Sequence, residues 1–300
     1  EVAVHEACPE PLSFRELCER VVPAGTRYLV LDLDRTVHFG INMGERLGWE
    51  LSAHESYGDD TLLQLEASRG RRLFVLDFRH PVALTRFLAR GARRWARPGL
   101  HYLIWGKLAA TVPFLQRRAI ARHGENFVQR AQRRTQLTLM RQLSQADTVL
   151  QRRLAERIWD RMADEQVITR EDLEWLRAQH PGLQVILTSA SPEPTVSVAA
   201  EKLGVDSMVF STLERINSGS DKIEPLREKH PELLESSTLS VGMTDTQYGE
   251  DHCWADRFTV VVAINSDWPF PRRVADDSPV RAIYSARVLT RAELARRAQG

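Results

Sequence analysis

The chain has 300 residues, 43% of them hydrophobic, enough for a substantial core in one large domain or two ordinary ones, so it is expected to fold unaided. Its formal charge of +1 hides a division: residues 81–141 hold 13 Lys and Arg against one acid, Glu125, which makes that segment +12 and the remainder −11. Cys8, Cys18 and Cys253 have neither a zinc-binding spacing nor a paired framework, which excludes a disulfide scaffold and points to a reducing, cytoplasmic setting.

The first twenty residues lack the basic-then-apolar run of a secretory signal. Ser13-Phe-Arg-Glu16 reads as a capping box that opens a short helix, because Ser and Glu three apart satisfy each other's free backbone donors. Arg27 to Asp32 (RYLVLD) is a short apolar run of the kind buried on both faces of a parallel sheet. From His38 to Arg72 the chain is punctuated by Gly40, Gly44, Gly48, Gly58 and Gly70, and no element is assigned to it, although Leu73–Phe78 reads as a strand. Between Pro81 and Gln179, Arg, Leu, Ala and Gln dominate and several consecutive helices are expected, the last one capped by Thr169. The most membrane-like stretch, Leu100 to Phe114, is too short to span a bilayer and contains His101, Lys107 and Pro113. Apolar runs at 184–188, 207–210, 239–243, 258–264 and 281–284 then alternate with helical stretches at 195–203 and 222–229, the rhythm of a doubly wound, mainly parallel α/β sheet. Residues 1–80 and 180–300 are thus assigned to an α/β core, with 38–80 an unassigned insert, and 81–179 to an inserted, all-helical, strongly basic cap.

Asp32-Leu-Asp34-Arg-Thr36 lies just past the first buried strand, where open α/β sheets place their ligands. Two aspartates one residue apart can supply one carboxylate for nucleophilic attack and another for proton transfer. Later strands end in groups suited to phosphate. Ser189 offers a hydroxyl and a backbone N–H, Lys222 a cation, and Asp245 a hard oxygen for a metal.

This ordered set resembles the four motifs of the haloacid dehalogenase superfamily, over about the first 36 residues and roughly 184–285. VILTSASPEP followed by AAEKLGVDSMVFST looks most like its phosphoserine-phosphatase-like branch. The resemblance implies a Rossmann-like core and a magnesium-dependent phosphatase working through an aspartyl-phosphate. It implies Asp32 as nucleophile and metal ligand, and Asp34 as general acid/base that lends its carbonyl to the metal. Asp245 would be a further metal ligand, Ser189 and Lys222 would hold the phosphoryl group, and Thr36 would orient the loop. The chain departs from the pattern in three places, one of them the insert from His38 to His80, which has no counterpart. Arg35 stands where the family usually has Gly or another small residue, so it is a candidate substrate contact. Gly242 is separated from Asp245 by Met243 and Thr244, which leaves Glu250 or Asp251 as the second acid, with Asp251 favoured as a metal ligand.

The substrate is expected to be a phosphorylated small molecule or lipid. The arginines fall in groups at helical spacing (Arg90, Arg93, Arg94 and Arg97; Arg117, Arg118 and Arg122; Arg130, Arg133 and Arg134) around the apolar 100–114 stretch. That pattern suits weak contact with an anionic membrane surface, or a solvated basic face; specific nucleic-acid binding is not expected. Two other activities fit the same residues: a catalytically weak, regulatory phosphate-binding protein, and a phosphotransferase to an acceptor other than water.

Overall fold

The computed structural model describes residues 4–69, 72–123, 127–235, 237–266 and 268–299; Gly70 and Glu125 lie outside these, as do the side chains of Arg97 and Lys107. The chain divides into two compact units: an α/β unit of 1–41, 162–211 and 217–300, and a helical unit of 42–161 joined by 212–216.

The α/β unit is built on β1 (Val4–Ala7), α1 (Phe14–Val21) and β2 (Tyr28–Asp32). Ser13 and Glu16 form the expected capping box at the start of α1. After β2 the chain enters the helical unit, which contains α2 (Met43–Tyr57), α3 (Asp59–Arg69), α4 (Pro81–His101), a π-helix (Tyr102–Leu108), α5 (Ala109–Thr111), α6 (Pro113–His123), α7 (Phe127–Leu143) and α8 (Thr148–Arg161). It returns to the α/β unit with α9 (Arg170–Gln179), whose cap is a second capping box between Thr169 and Asp172. Then follow β3 (Gln184–Pro192), α10 (Glu193–Leu203), β4 (Ser207–Ser211), α11 (Ile223–Lys229), β5 (Ser240–Thr244), β6 (Val260–Ile264), β7 (Ala282–Ala286) and α12 (Arg291–Arg297).

Among the described residues the seven strands form one all-parallel sheet in the order β1-β7-β6-β5-β2-β3-β4. This is a doubly wound, Rossmann-like α/β architecture. Strands β2, β5 and β6 are buried at every residue, as suits strands covered on both faces of a parallel sheet. β2 lies between β3 and β5, so the carboxyl ends of these three neighbours meet at one place. The edge strand β1 was not expected: its four residues are all exposed and carry no apolar run.

Two boundaries differ from the sequence expectation. The helical unit begins near residue 42 rather than 81, and α9 belongs to the α/β unit rather than to the helical block. The glycine-rich insert holds α2, which is buried nearly all round and so lacks the one-sided apolar stripe that marks a surface helix. Leu73–Phe78 is not a strand. Among the described residues no strand pairs with it, and Phe74, Leu76 and Phe78 are exposed. Instead Tyr57 Oη donates to the Val75 carbonyl at 2.9 Å, and the Asp77 carboxylate accepts from the Arg79 N–H just before α4.

Helices α2 and α4 cross closely. A Cβ on Gly48 would lie 2.8 Å from the Trp95 ring, and one on Gly91 would lie 2.1 Å from the Trp49 ring. The two indoles stack at 6.1 Å. α8 is tied to α2 and α3 by Arg161, whose guanidinium donates at 2.7 Å to both Glu50 and Glu66, Glu50 being buried. Among the described residues no helix is long and apolar enough to cross a membrane.

Gly91→Val is expected to destabilise the protein by about 1–3 kcal/mol, because the added methyl groups meet Trp49 with no room to retreat. Denaturant unfolding reads this directly, and an unchanged midpoint would contradict the close crossing.

Candidate active site

Asp32 is the last residue of β2, buried in the centre of the sheet. Its Oδ1 accepts from Lys222 Nζ at 2.9 Å, and the same ammonium donates to Asp251 Oδ2 at 2.9 Å. Lys222 ends a single 3-10 turn, Gly219–Lys222, that opens at Gly219 in the left-handed region (φ 59°). Its Nζ also stands 5.6 Å from the centroid of the buried Trp254 ring. Asp251 is fixed further by the Thr244 hydroxyl, which donates to Oδ2 at 2.6 Å from the end of β5. Its Oδ1 is buried with no hydrogen-bond partner among the described residues.

Asp34 and Arg35 lie on the turn out of β2. Arg35 has φ 65°, in the left-handed region where a side chain is unfavourable by about 1–2 kcal/mol. A family that usually carries Gly here would avoid that cost. Arg35 Nε stands 3.5 Å from Asp245 Oδ2, so the guanidinium contributes positive charge to the site's edge. Thr246 and Asn265, after β5 and β6, are the other two non-glycine residues with positive φ among those described. Thr36 is fully buried on the turn beside Asp34, and its hydroxyl has no partner among the described residues.

Three side chains hold the Asp34 carboxylate. Ser191 Oγ donates to Oδ2 at 2.6 Å, Ser189 Oγ to the same oxygen at 3.3 Å, and His38 Nε2 lies 3.2 Å from Oδ1. Ser189 is also linked to its neighbours, for the Ser191 N–H donates to its Oγ at 3.0 Å and Asn217 Nδ2 donates to its carbonyl at 2.9 Å. The structure thus brings Asp32, Asp34, Arg35, Thr36, Ser189, Lys222, Asp245 and Asp251 to one end of the sheet. Glu250 turns aside to accept from the Ser218 hydroxyl. His38, Ser191, Asn217, Thr244 and Trp254 were not singled out from sequence. Ser191 alone carried a signal, since residues two apart on a strand share a face and Ser189 was already marked.

Burial dominates the electrostatics. It pushes the Asp32 carboxyl well above its ordinary range, with the Asp251 and Asp245 charges adding to the rise and Lys222 opposing it. Burial also raises Asp245, to about 7, against the pull of Arg35. For Lys222 burial acts downward, but Asp251 and Asp32 outweigh it and hold the ammonium protonated well above its ordinary value. Three buried carboxyl groups thus face one buried ammonium and one partly exposed guanidinium, an excess of acids over cations. Hard oxygens, an unpaired buried Oδ1 and that excess suit a small divalent cation such as magnesium. Among the described residues no group of three or more His, Cys, Asp or Glu side chains gathers tightly enough to cage an ion alone. Magnesium commonly takes only one or two carboxylates and completes its shell with substrate oxygens and water.

No family profile matches the chain, and no curated protein does. Among solved structures, a protein of unknown function from Bordetella pertussis Tohama I is similar at 14% identity and a TM-score of 0.50, over 86% of this chain and 98% of that one. That likeness extends to the fold alone. A phosphoserine phosphatase solved as a phospho-aspartyl intermediate analogue aligns at 12% identity and a TM-score of 0.38, over 91% of this chain and 98% of that one, too loosely to argue from.

Lys222→Met strands Asp32 and Asp251 in the interior without a counter-charge and is expected to cost about 3–5 kcal/mol in metal-free buffer. Adding Asp32→Asn should recover part of that loss, because one of the stranded charges is then removed. Equal stability of Lys222→Met and the wild type in urea would contradict the buried ion pairs.

Proposed function

We propose that the chain is a magnesium-dependent phosphomonoesterase of the haloacid dehalogenase type, with Asp32 as the nucleophile. The observation that carries this reading is the convergence of Asp32, Asp34, Ser189, Lys222 and Asp245 at the carboxyl ends of β2, β3 and β5. Each of the five has a distinct use in phosphoryl transfer.

In this reading an Asp32 carboxylate oxygen attacks the phosphorus of a bound phosphate monoester as the bond to the ester oxygen breaks. Asp34, entering the step protonated, gives its proton to the leaving alcohol. Its two oxygens are held by Ser191, Ser189 and His38, so the proton is presented from a fixed direction. In the second half Asp34 takes a proton from water, which attacks the phosphorus of the aspartyl-phosphate and returns Asp32 as a carboxylate with release of inorganic phosphate. Splitting one displacement into two lowers each barrier. Lys222 touches Asp32 and balances the combined charge of nucleophile and phosphoryl group, and the Ser189 hydroxyl would turn from Asp34, 3.3 Å away, to donate to a phosphoryl oxygen. Asp32, Asp245, the Asp34 carbonyl and the unpaired Oδ1 of Asp251 would hold the magnesium ion. When bound, it supplies charge stabilisation to the transferring phosphoryl group.

The substrate belongs to the class of small-molecule or lipid phosphomonoesters. Water is taken as the acceptor because Asp34 can serve both halves of the reaction. A non-catalytic, regulatory role would leave a burial cost at Asp32 and Lys222 without a use, which favours turnover.

Hydrolysis of an aryl phosphate should require magnesium and should fall by at least about 1,000-fold in Asp32→Asn, since the nucleophile is lost. Equal rates in the two proteins would remove Asp32 from the mechanism. Alkyl phosphate formed with an added alcohol, in place of inorganic phosphate, would reassign the enzyme to phosphotransfer.

A further inference from the structure

The helical unit carries a surface that the chemistry above does not use. Leu100 at the end of α4, and Leu103 and Leu108 in the π-helix, are 58%, 47% and 41% exposed. In the same stretch Ala109 and Trp105 pack with Leu115, Ala119 and Phe127 into a small core. The helix breaks at Val112, and just beyond it Phe114 is 69% exposed at the start of α6. Clustered apolar side chains turned to water mark an interaction surface rather than chance exposure.

Charge identifies the occupant. Arg117 and Arg118 follow Phe114 on α6 and are exposed, and Arg122 rests 5.9 Å from the centroid of the Trp105 ring. Exposed Arg130 and Arg134 lie on α7. Among the described residues no carboxylate pairs with Arg117, Arg118, Arg130 or Arg134. Arg90 and Arg94 differ, for both are tied to Glu55 across α2 and α4. The basic excess therefore divides into an anchored part, which builds the unit, and an unpaired part, of which Arg117 and Arg118 lie one turn beyond Phe114 on α6. One sign of charge throughout opposes docking of a second copy on the same surface, and nucleic acid would have no use for the leucines. No described helix is long and apolar enough to cross a bilayer, so lipid contact would be interfacial.

We propose that this surface docks on an anionic phospholipid bilayer. Leu103, Leu108 and Phe114 enter the acyl boundary, while Arg117 and Arg118 meet the headgroup phosphates.

Sedimentation of the full chain with vesicles tests this without reference to phosphatase activity. The protein should pellet with phosphatidylcholine vesicles containing phosphatidylserine at low salt, and far less with phosphatidylcholine alone. Neutralising Arg117 or Arg118 to Gln should weaken partitioning about fivefold each, and added salt should weaken it further. Leu103→Glu with Phe114→Glu should abolish it. Both positions are exposed, so circular dichroism should show the fold unchanged. Failure of the wild type to pellet at low salt, equal pelleting with uncharged vesicles, or full binding by the Leu103→Glu, Phe114→Glu variant would each overturn the proposal. So would a concentration-dependent dimer dispersed by that variant, which would make this an interface between copies.

Discussion

The ammonium of Lys222 between Asp32 and Asp251 is the contact on which the α/β unit's functional end depends. All three groups are buried, and each carboxylate without the cation would carry a desolvation cost of several kcal/mol. The contact spans 190 residues between Asp32 and Lys222, so it closes only when the end of β2 and the 3-10 turn before α11 are brought together. The Trp254 ring above Nζ and the Thr244 hydroxyl on Asp251 leave these groups little room to rearrange. Even so, acids outnumber cations, and burial with mutual repulsion holds Asp32 and Asp245 above their ordinary range.

The Asp34 side of the site follows a different logic. Its carboxylate is met by two serine hydroxyls from β3 and an imidazole from the turn after β2. Such partners fix the direction of the carboxyl group. Two aspartates one residue apart thereby acquire unlike surroundings, which is the usual way for neighbouring carboxyl groups to take different roles. The positive φ of Arg35 between the turn and Asp245 is the local backbone cost of that geometry.

Much of this was legible in the sequence, and the exceptions have physical causes. β2, β5 and β6 were readable because strands buried on both faces are rich in apolar residues. β1 was not, because a four-residue edge strand pairs on one side only and exposes every residue. Leu73–Phe78 has a strand's composition but no neighbour to complete a ladder, a fact of tertiary structure that composition does not carry. α2 was hidden by its glycines, although Gly48 is there because a tryptophan of the crossing helix leaves no space for a Cβ. In the site, acids and cations at strand ends announced themselves. His38, Asn217 and Thr244 did not, since a buried polar residue that holds another is indistinguishable in sequence from one that caps a turn.

The measurement that bears most directly on Asp32 is chemical trapping of the enzyme during turnover. The protein would be mixed with a phosphorus-labelled aryl phosphate and magnesium, quenched in acid, reduced with borohydride and mapped by peptide mass. The account predicts label retained after the acid quench and, after reduction, conversion of Asp32 alone to homoserine in the peptide spanning β2. Phosphate release with an unmodified Asp32, or modification at another residue, would contradict it.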